Sequence, residues 1–236
     1  MMNPLSALVG LAALALVAGG AGAQVTVSVP GTSDPWLAGM PAGSTASSGD
    51  VAPAQSPVEV LGLTLVGGAL LTFDATGSVS NTPSPSGLTP DGGGFVGHSA
   101  GDENGIANVV APNNSLVGVF LDAGQPDLTP APATLNFIGI GLDFVGLSPL
   151  LKQVFFIGDG VTSGSVAQQF TVPAGATRLY LGTMDGYGWY NNSGSFTVRV
   201  SGGAATPAVP EPSPLAALAC GGLVLGGLAL RRSLRA

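Results

Sequence analysis

Cysteine and histidine are nearly missing from this 236-residue chain, which has one of each, Cys220 and His98. A lone cysteine excludes an intrachain disulfide framework and any CxxC zinc or redox motif. A lone histidine excludes a histidine-rich metal site. Charge is scarce as well: 8% of residues are charged, six basic and thirteen acidic, for a formal net charge of −7. An ordinary soluble domain carries roughly 25%. Nucleic-acid binding needs phosphate-neutralising Lys and Arg, and three of the six sit together at the C-terminus as Arg231, Arg232 and Arg235. Long helical periodicity is absent too, because outside the two ends no stretch keeps a 3.6-residue apolar period over several turns.

What the chain does have is glycine (38), proline (19) and a 45% hydrophobic content. Glycine and proline oppose helix interiors, while that much apolar side chain rules out a disordered polar polymer. β-branched and alternating runs predict strands at residues 25–29, 58–66, 69–79, 115–121, 134–140, 153–157, 166–172, 177–183 and 194–201. The last is the clearest, with Phe196, Val198 and Val200 on one face and Ser195, Thr197 and Arg199 on the other. Pro/Gly/Ser-rich connections separate them. The expected fold is all-β, an antiparallel β-sandwich of the jelly-roll kind, over residues 58–207. Residues 24–57 form a Pro/Gly/Ser-rich N-terminal region, of which residues 31–57 either lie on the sandwich or trail from it.

Both ends read as targeting segments. Residues 5–18 are almost wholly apolar and Ala21-Gly22-Ala23 follows, the pattern of a secretory signal over residues 1–23. At the other end, over residues 208–236, Pro210-Glu211-Pro212 precedes an apolar run at 215–230 and then Arg231-Arg232. Such a run would reach roughly 24 Å as a helix, just short of a hydrocarbon core, with the arginines cytoplasmic. This three-part order resembles the PEP-CTERM sorting signal of Gram-negative bacteria. The resemblance implies transient inner-membrane anchoring, cleavage by an exosortase-type membrane protease, and a secreted or cell-surface product beside exopolysaccharide. Cys220 lies inside this segment.

Three stretches carry candidate chemistry. Gly97-His98-Ser99-Ala100-Gly101 matches G-x-S-x-G, but its only available histidine lies inside the motif, so Ser99 lacks a separate base and no catalytic residue is assigned. Asp102-Glu103-Asn104-Gly105 offers oxygens without an EF-hand's alternating carboxylates. The third, Met184-Asp185-Gly186-Tyr187-Gly188-Trp189-Tyr190-Asn191-Asn192, gives one carboxylate and two adjacent amides between the two most convincing strands. Ca²⁺ takes hard oxygens of this kind, and sugar hydroxyls could complete its shell. Tyr187, Trp189 and Tyr190 add flat faces for a pyranose ring. The plain alternative is a β-hairpin turn that uses Asn and Gly for positive φ.

The run from Asp185 to Val198, above all Tyr190-Asn191-Asn192-Ser193-Gly194-Ser195-Phe196, resembles the calcium-site loop of the PA-I type galactose-binding lectins. Ala75-Thr76-Gly77-Ser78-Val79-Ser80-Asn81 resembles the strand leading to that family's other calcium contact. The resemblance implies Ca²⁺ held by the side chains of Asp185, Asn191 and Asn192 and by the backbone carbonyls of Asn81 and of Gly188 or Trp189. It also implies that His98 contacts sugar. The expectation is a non-enzymatic, calcium-dependent carbohydrate-binding protein whose ligand is galactose-like or an exopolysaccharide. The alternative is a structural component of the extracellular matrix with the same fold and no sugar binding.

Overall fold

The computed structural model describes residues 23–82, 87–202 and 204–205. The expected signal segment at 1–23 lies, apart from Ala23, outside the described residues, as does the sorting segment at 208–236. No helix among the described residues is long and apolar enough to cross a membrane.

In chain order the strands are β1 (Gln24–Pro30), β2 (Val58–Glu59), β3 (Leu63–Thr64), β4 (Leu70–Ser80), β5 (Phe95–Gly97), β6 (Val109–Pro112) and β7 (Leu116–Leu121). They continue with β8 (Leu135–Asn136), β9 (Gly146–Leu147), β10 (Val154–Phe156), β11 (Gln169–Thr171), β12 (Arg178–Thr183), β13 (Ser193–Gly202) and β14 (Ala204–Ala205). One four-residue helix, α1 (Phe137–Ile140), interrupts them. The fold is all-β. A five-stranded sheet runs β1-β13-β4-β11-β9 and a four-stranded sheet runs β10-β7-β12-β2, with smaller sheets β5-β6-β8 and β14-β3. Most pairs are antiparallel, while β9–β11 and β6–β8 are parallel.

One apolar core joins the two larger sheets. Phe73, Phe170, Phe196, Val198 and Val200 come from the first, and Val119, Phe120, Phe155, Leu179 and Leu181 from the second. Phe170 sits at their junction, with ring centroids 5.1 Å from Phe73, 5.8 Å from Phe144 and 5.5 Å from Phe155. Aromatic pairs at such separations add attraction beyond the area they bury. The alternation expected at the C-terminal strand holds, since Phe196, Val198 and Val200 are all buried.

Three strand expectations change. Residues 58–66 form two short strands in different sheets instead of one. Residues 137–140 are helical, because the Asn136 side chain accepts from the Ile138 N–H and Gly141, at φ 83°, ends the turn. Residues 166–172 shorten to β11, and β5, β6, β9 and β14 arise where no strand is expected.

The Pro/Gly/Ser-rich region does not trail. β1 pairs with β13 along its whole length. Beyond it, Asp34, Trp36, Leu37 and Asp50 are buried, and the turn Pro35–Leu37 lies against β7 and β12. This is why all six residues of β7 are buried: one face meets the core and the other meets this segment.

Truncating Phe170 to alanine should cost about 3–5 kcal/mol, since it empties the contact between the two sheets. Equilibrium urea unfolding of the variant beside the wild type measures it.

Candidate functional site

Register assembles the site at one end of the sandwich. In the five-stranded sheet, β4 ends and β13 begins at the pair Ser80–Ser193. In the four-stranded sheet, β12 ends and β7 begins at Thr183–Leu116. The residues just past those pairs are Asn81 and Asn192 in one sheet, Asn114 and Asp185 in the other. At Gly77 (φ 105°) and Gly194 (φ 80°), β4 and β13 approach so closely that a side chain would strike the opposite carbonyl of Ser195 or Ser78. β12 and β13 belong to different sheets, so the Asp185 loop is a crossing between sheets and not a hairpin turn.

Asp185 is buried and accepts hydrogen bonds from the N–H groups of Gly186 (2.6 Å) and Tyr187 (3.3 Å). Burial raises its carboxyl above the ordinary range, and the nearby side-chain amides of Asn192 and Asn81 and those two backbone groups partly counter this. Asn192 also donates from Nδ2 to the Gly31 carbonyl at 3.2 Å. Its buried Oδ1 has no partner. Asn114 repeats the arrangement. Its Nδ2 donates to Asn81 Oδ1 at 3.3 Å, its N–H donates to the Met184 carbonyl at 2.7 Å, and its buried Oδ1 has no partner. Leaving a buried carbonyl oxygen unsatisfied costs about 1–3 kcal/mol. A carboxylate and two such oxygens are donors of the hard kind that Ca²⁺ takes.

The remaining expected residues divide. Tyr187 and Tyr190 are exposed, at 62% and 56%. Asn191 is exposed at the end of the short turn Trp189–Asn191, unlike Asn192. Trp189 offers no face to a sugar, because its ring is fully buried and its Nε1 donates to the Thr183 carbonyl at 2.8 Å. Its own carbonyl accepts from the Asn192 N–H at 3.0 Å. His98 is buried too. It stacks on Trp36 at 3.9 Å, and its Nε2 lies 2.8 Å from Glu103 Oε2. Apolar packing has drawn both rings into an inner stack of Trp36, His98 and Trp189. Ser99 Oγ donates to the Gly186 carbonyl at 2.7 Å and braces the loop from outside.

Asn114 and Asp50 are the two site residues that sequence reasoning passes over. Asn113-Asn114-Ser115 repeats Asn191-Asn192-Ser193, and that repeat was the available signal. Asp50 had none. It is fully buried, and its Oδ2 and Oδ1 accept from the N–H groups of Trp189 (2.9 Å) and Tyr190 (2.8 Å). Two open clefts lie elsewhere: about 440 Å³ beside Asp91, Asp143 and Asp159, and about 430 Å³ beside Asp102, Glu103 and Asp127.

No family model matches the chain. No curated protein matches it either. Among solved structures, it is similar to one described as "EclA N-terminal domain; PllA-like lectin", at 16% identity and a TM-score of 0.36, covering 75% of this chain and 94% of that one. A likeness at that score carries no weight in reading the site, which rests on the contacts above.

The carboxyls of Asp34, Asp50, Asp91 and Asp185 are all raised, in each case chiefly by burial. Among the described carboxyls only the fully exposed Asp143 is lowered, by its Ser163 hydrogen bonds. A raised acid binds protons more tightly when folded, so its contribution is full below the unfolded value of about 3.9 and is lost as pH rises through the folded one. The metal-free protein should therefore melt at a higher temperature near about pH 5 than near about pH 7.5. Thermal melts in chelator check this, with the opposite order refuting it.

Proposed function

We propose that this chain is a secreted, calcium-dependent carbohydrate-binding protein with a galactose-binding-like jelly-roll fold, sorted to the cell surface by its C-terminal tail and not an enzyme. The observation that carries the reading is the pair of buried, unpartnered amide oxygens, Asn192 Oδ1 and Asn114 Oδ1, in the polar cluster around Asp185. Asp185, Asn192 and Asn114, with Asn81 beside them, would hold Ca²⁺. When bound, the ion supplies a Lewis-acidic centre with coordination positions for vicinal sugar hydroxyls. Asp185 supplies the charge. The Gly31 carbonyl keeps the Asn192 amide turned so that its oxygen stays free. Tyr187 and Tyr190 give the exposed faces against which a sugar ring would lie.

Secretion and exosortase sorting rest on the sequence order of the two ends. A single shallow contact of this kind binds weakly, so useful avidity requires several copies on one surface or a repeating polysaccharide. A second reading, a structural matrix component without sugar binding, is favoured by the direct hydrogen bonds of Asp50 and Ser99 to the loop backbone.

Calorimetric titration of Ca²⁺ into the purified protein and its Asp185→Ala variant separates the two. Saturable binding at about 10⁻⁴–10⁻³ M, as in extracellular calcium modules, lost in the variant, is the expected result. A glycan array probed with calcium and again with chelator should then give binding only with calcium. No heat from a folded wild-type sample overturns the lectin mechanism.

A further inference from the structure

Two carboxylates, not one, lie under the loop that follows β12. Asp185 takes the N–H groups of Gly186 and Tyr187, and Asp50 takes those of Trp189 and Tyr190. Four of the five N–H groups between residues 186 and 190 therefore point inward onto side-chain oxygens. The path from Asp185 to Asn192 is fixed by a residue that lies 139 positions upstream of Trp189. The same upstream segment fixes both ends of the loop as well. Gly31 accepts from Asn192 Nδ2 and from Thr183 Oγ1 (2.7 Å), and the Ser33 carbonyl accepts from the Thr183 N–H (3.0 Å).

Asp50 differs from an ordinary loop cap in its charge. Both partners of its oxygens are neutral backbone groups, and Asp185 acts on it as a nearby like charge. Asp50 and Asp185 are buried carboxylates that repel each other, with Glu103 a further like charge on Asp50, and a cation near Asp185, where the amide oxygens of Asn192 and Asn114 are unpartnered, would stabilise them together. We propose that Asp50 is an outer carboxylate of the Asp185 site, positioning the loop and adding its own charge to the attraction for the cation, so that the segment from 31 to 57 is part of the binding site. The inference rests on the cation reading given above, but it concerns a residue that is not itself in the donor set.

The Coulomb energy between a fixed charge and an ion scales with the charge of the ion. A residue that only props the loop alters the fit for every ion, whereas a residue that also contributes charge matters more for a trivalent ion than for a divalent one. The experiment titrates Ca²⁺ and La³⁺, without sugar, into the wild-type protein and its Asp50→Asn and Asp50→Glu variants. Circular dichroism in chelator establishes that each is folded. Asp50→Asn should weaken Ca²⁺ binding about 10-fold, the lower end of what loss of an outer-shell partner costs. It should weaken La³⁺ binding by a larger factor, and Asp50→Glu should restore most of the La³⁺ preference. If the Asn variant does not fold, Asp50→Ser, which keeps a hydroxyl acceptor at the turn, takes its place. Unchanged affinities in the neutral variant, or equal fold-losses for both ions, overturn the inference while leaving the calcium reading intact. A folded wild type that binds neither ion overturns both.

Discussion

The bidentate contact of the Asp50 carboxylate with the backbone of Trp189 and Tyr190 is the interaction on which the rest of the candidate site depends. Its necessity follows from composition. A buried carboxylate needs a cation or several N–H donors, and among the described residues only Lys152, Arg178 and Arg199 are basic. All three are engaged elsewhere. Lys152 holds the carbonyls of Thr129 and Pro130, Arg178 holds those of Asp122 and Gly124, and Arg199 faces Asp74. Backbone N–H groups are what remains for Asp50 and Asp34, and backbone N–H groups with the side-chain amides of Asn192 and Asn81 for Asp185. Each is thus tied to a turn, and turns lie at the ends of strands. Low charge content has placed the acidic groups at the edge of the sandwich and left them under-neutralised there.

Topology does the remaining work. Because β4 pairs with β13 and β7 with β12, four polar positions scattered from residue 81 to residue 192 meet at one corner. Neither sheet alone would make the site, since Asp185 and Asn114 extend one and Asn81 and Asn192 extend the other. The loop that joins the sheets has to bridge a fixed gap. Its hold on Asp50 from beneath and on Ser99 from outside sets how far apart the two pairs stand.

Much of this was legible in the sequence, for identifiable reasons. The alternation at Phe196, Val198 and Val200 follows from a period of two, and it holds because one face of β13 is buried while the other is wet. The position of Asp185 beside Asn192 and Asn81 could be read from residue types and loop resemblance together. Three things could not be read. The helical turn at Phe137–Ile140 depends on one side-chain cap at Asn136 overriding an apolar run that suits a strand equally well. The burial of Trp189 and His98 depends on Trp36, which lies in a Pro/Gly/Ser-rich stretch with no periodicity to give it a place. Asn114 and Asp50 depend on pairings between distant segments, and no local pattern encodes those.

The burial of the inner aromatic stack changes what the outer surface has to do. Trp36, His98 and Trp189 form a rigid floor, with His98 held between a ring face and Glu103, and Glu103 in turn accepting from Ser47 Oγ at 2.8 Å. Rings so committed have no face free for a ligand. They do hold the backbone from 185 to 192 at a fixed height, because Trp189 is both part of the floor and the middle of the loop. Tyr187 and Tyr190, on either side of it, are consequently turned outward. A single buried indole therefore accounts both for the absence of an open Trp189 face and for the exposure of the two tyrosines.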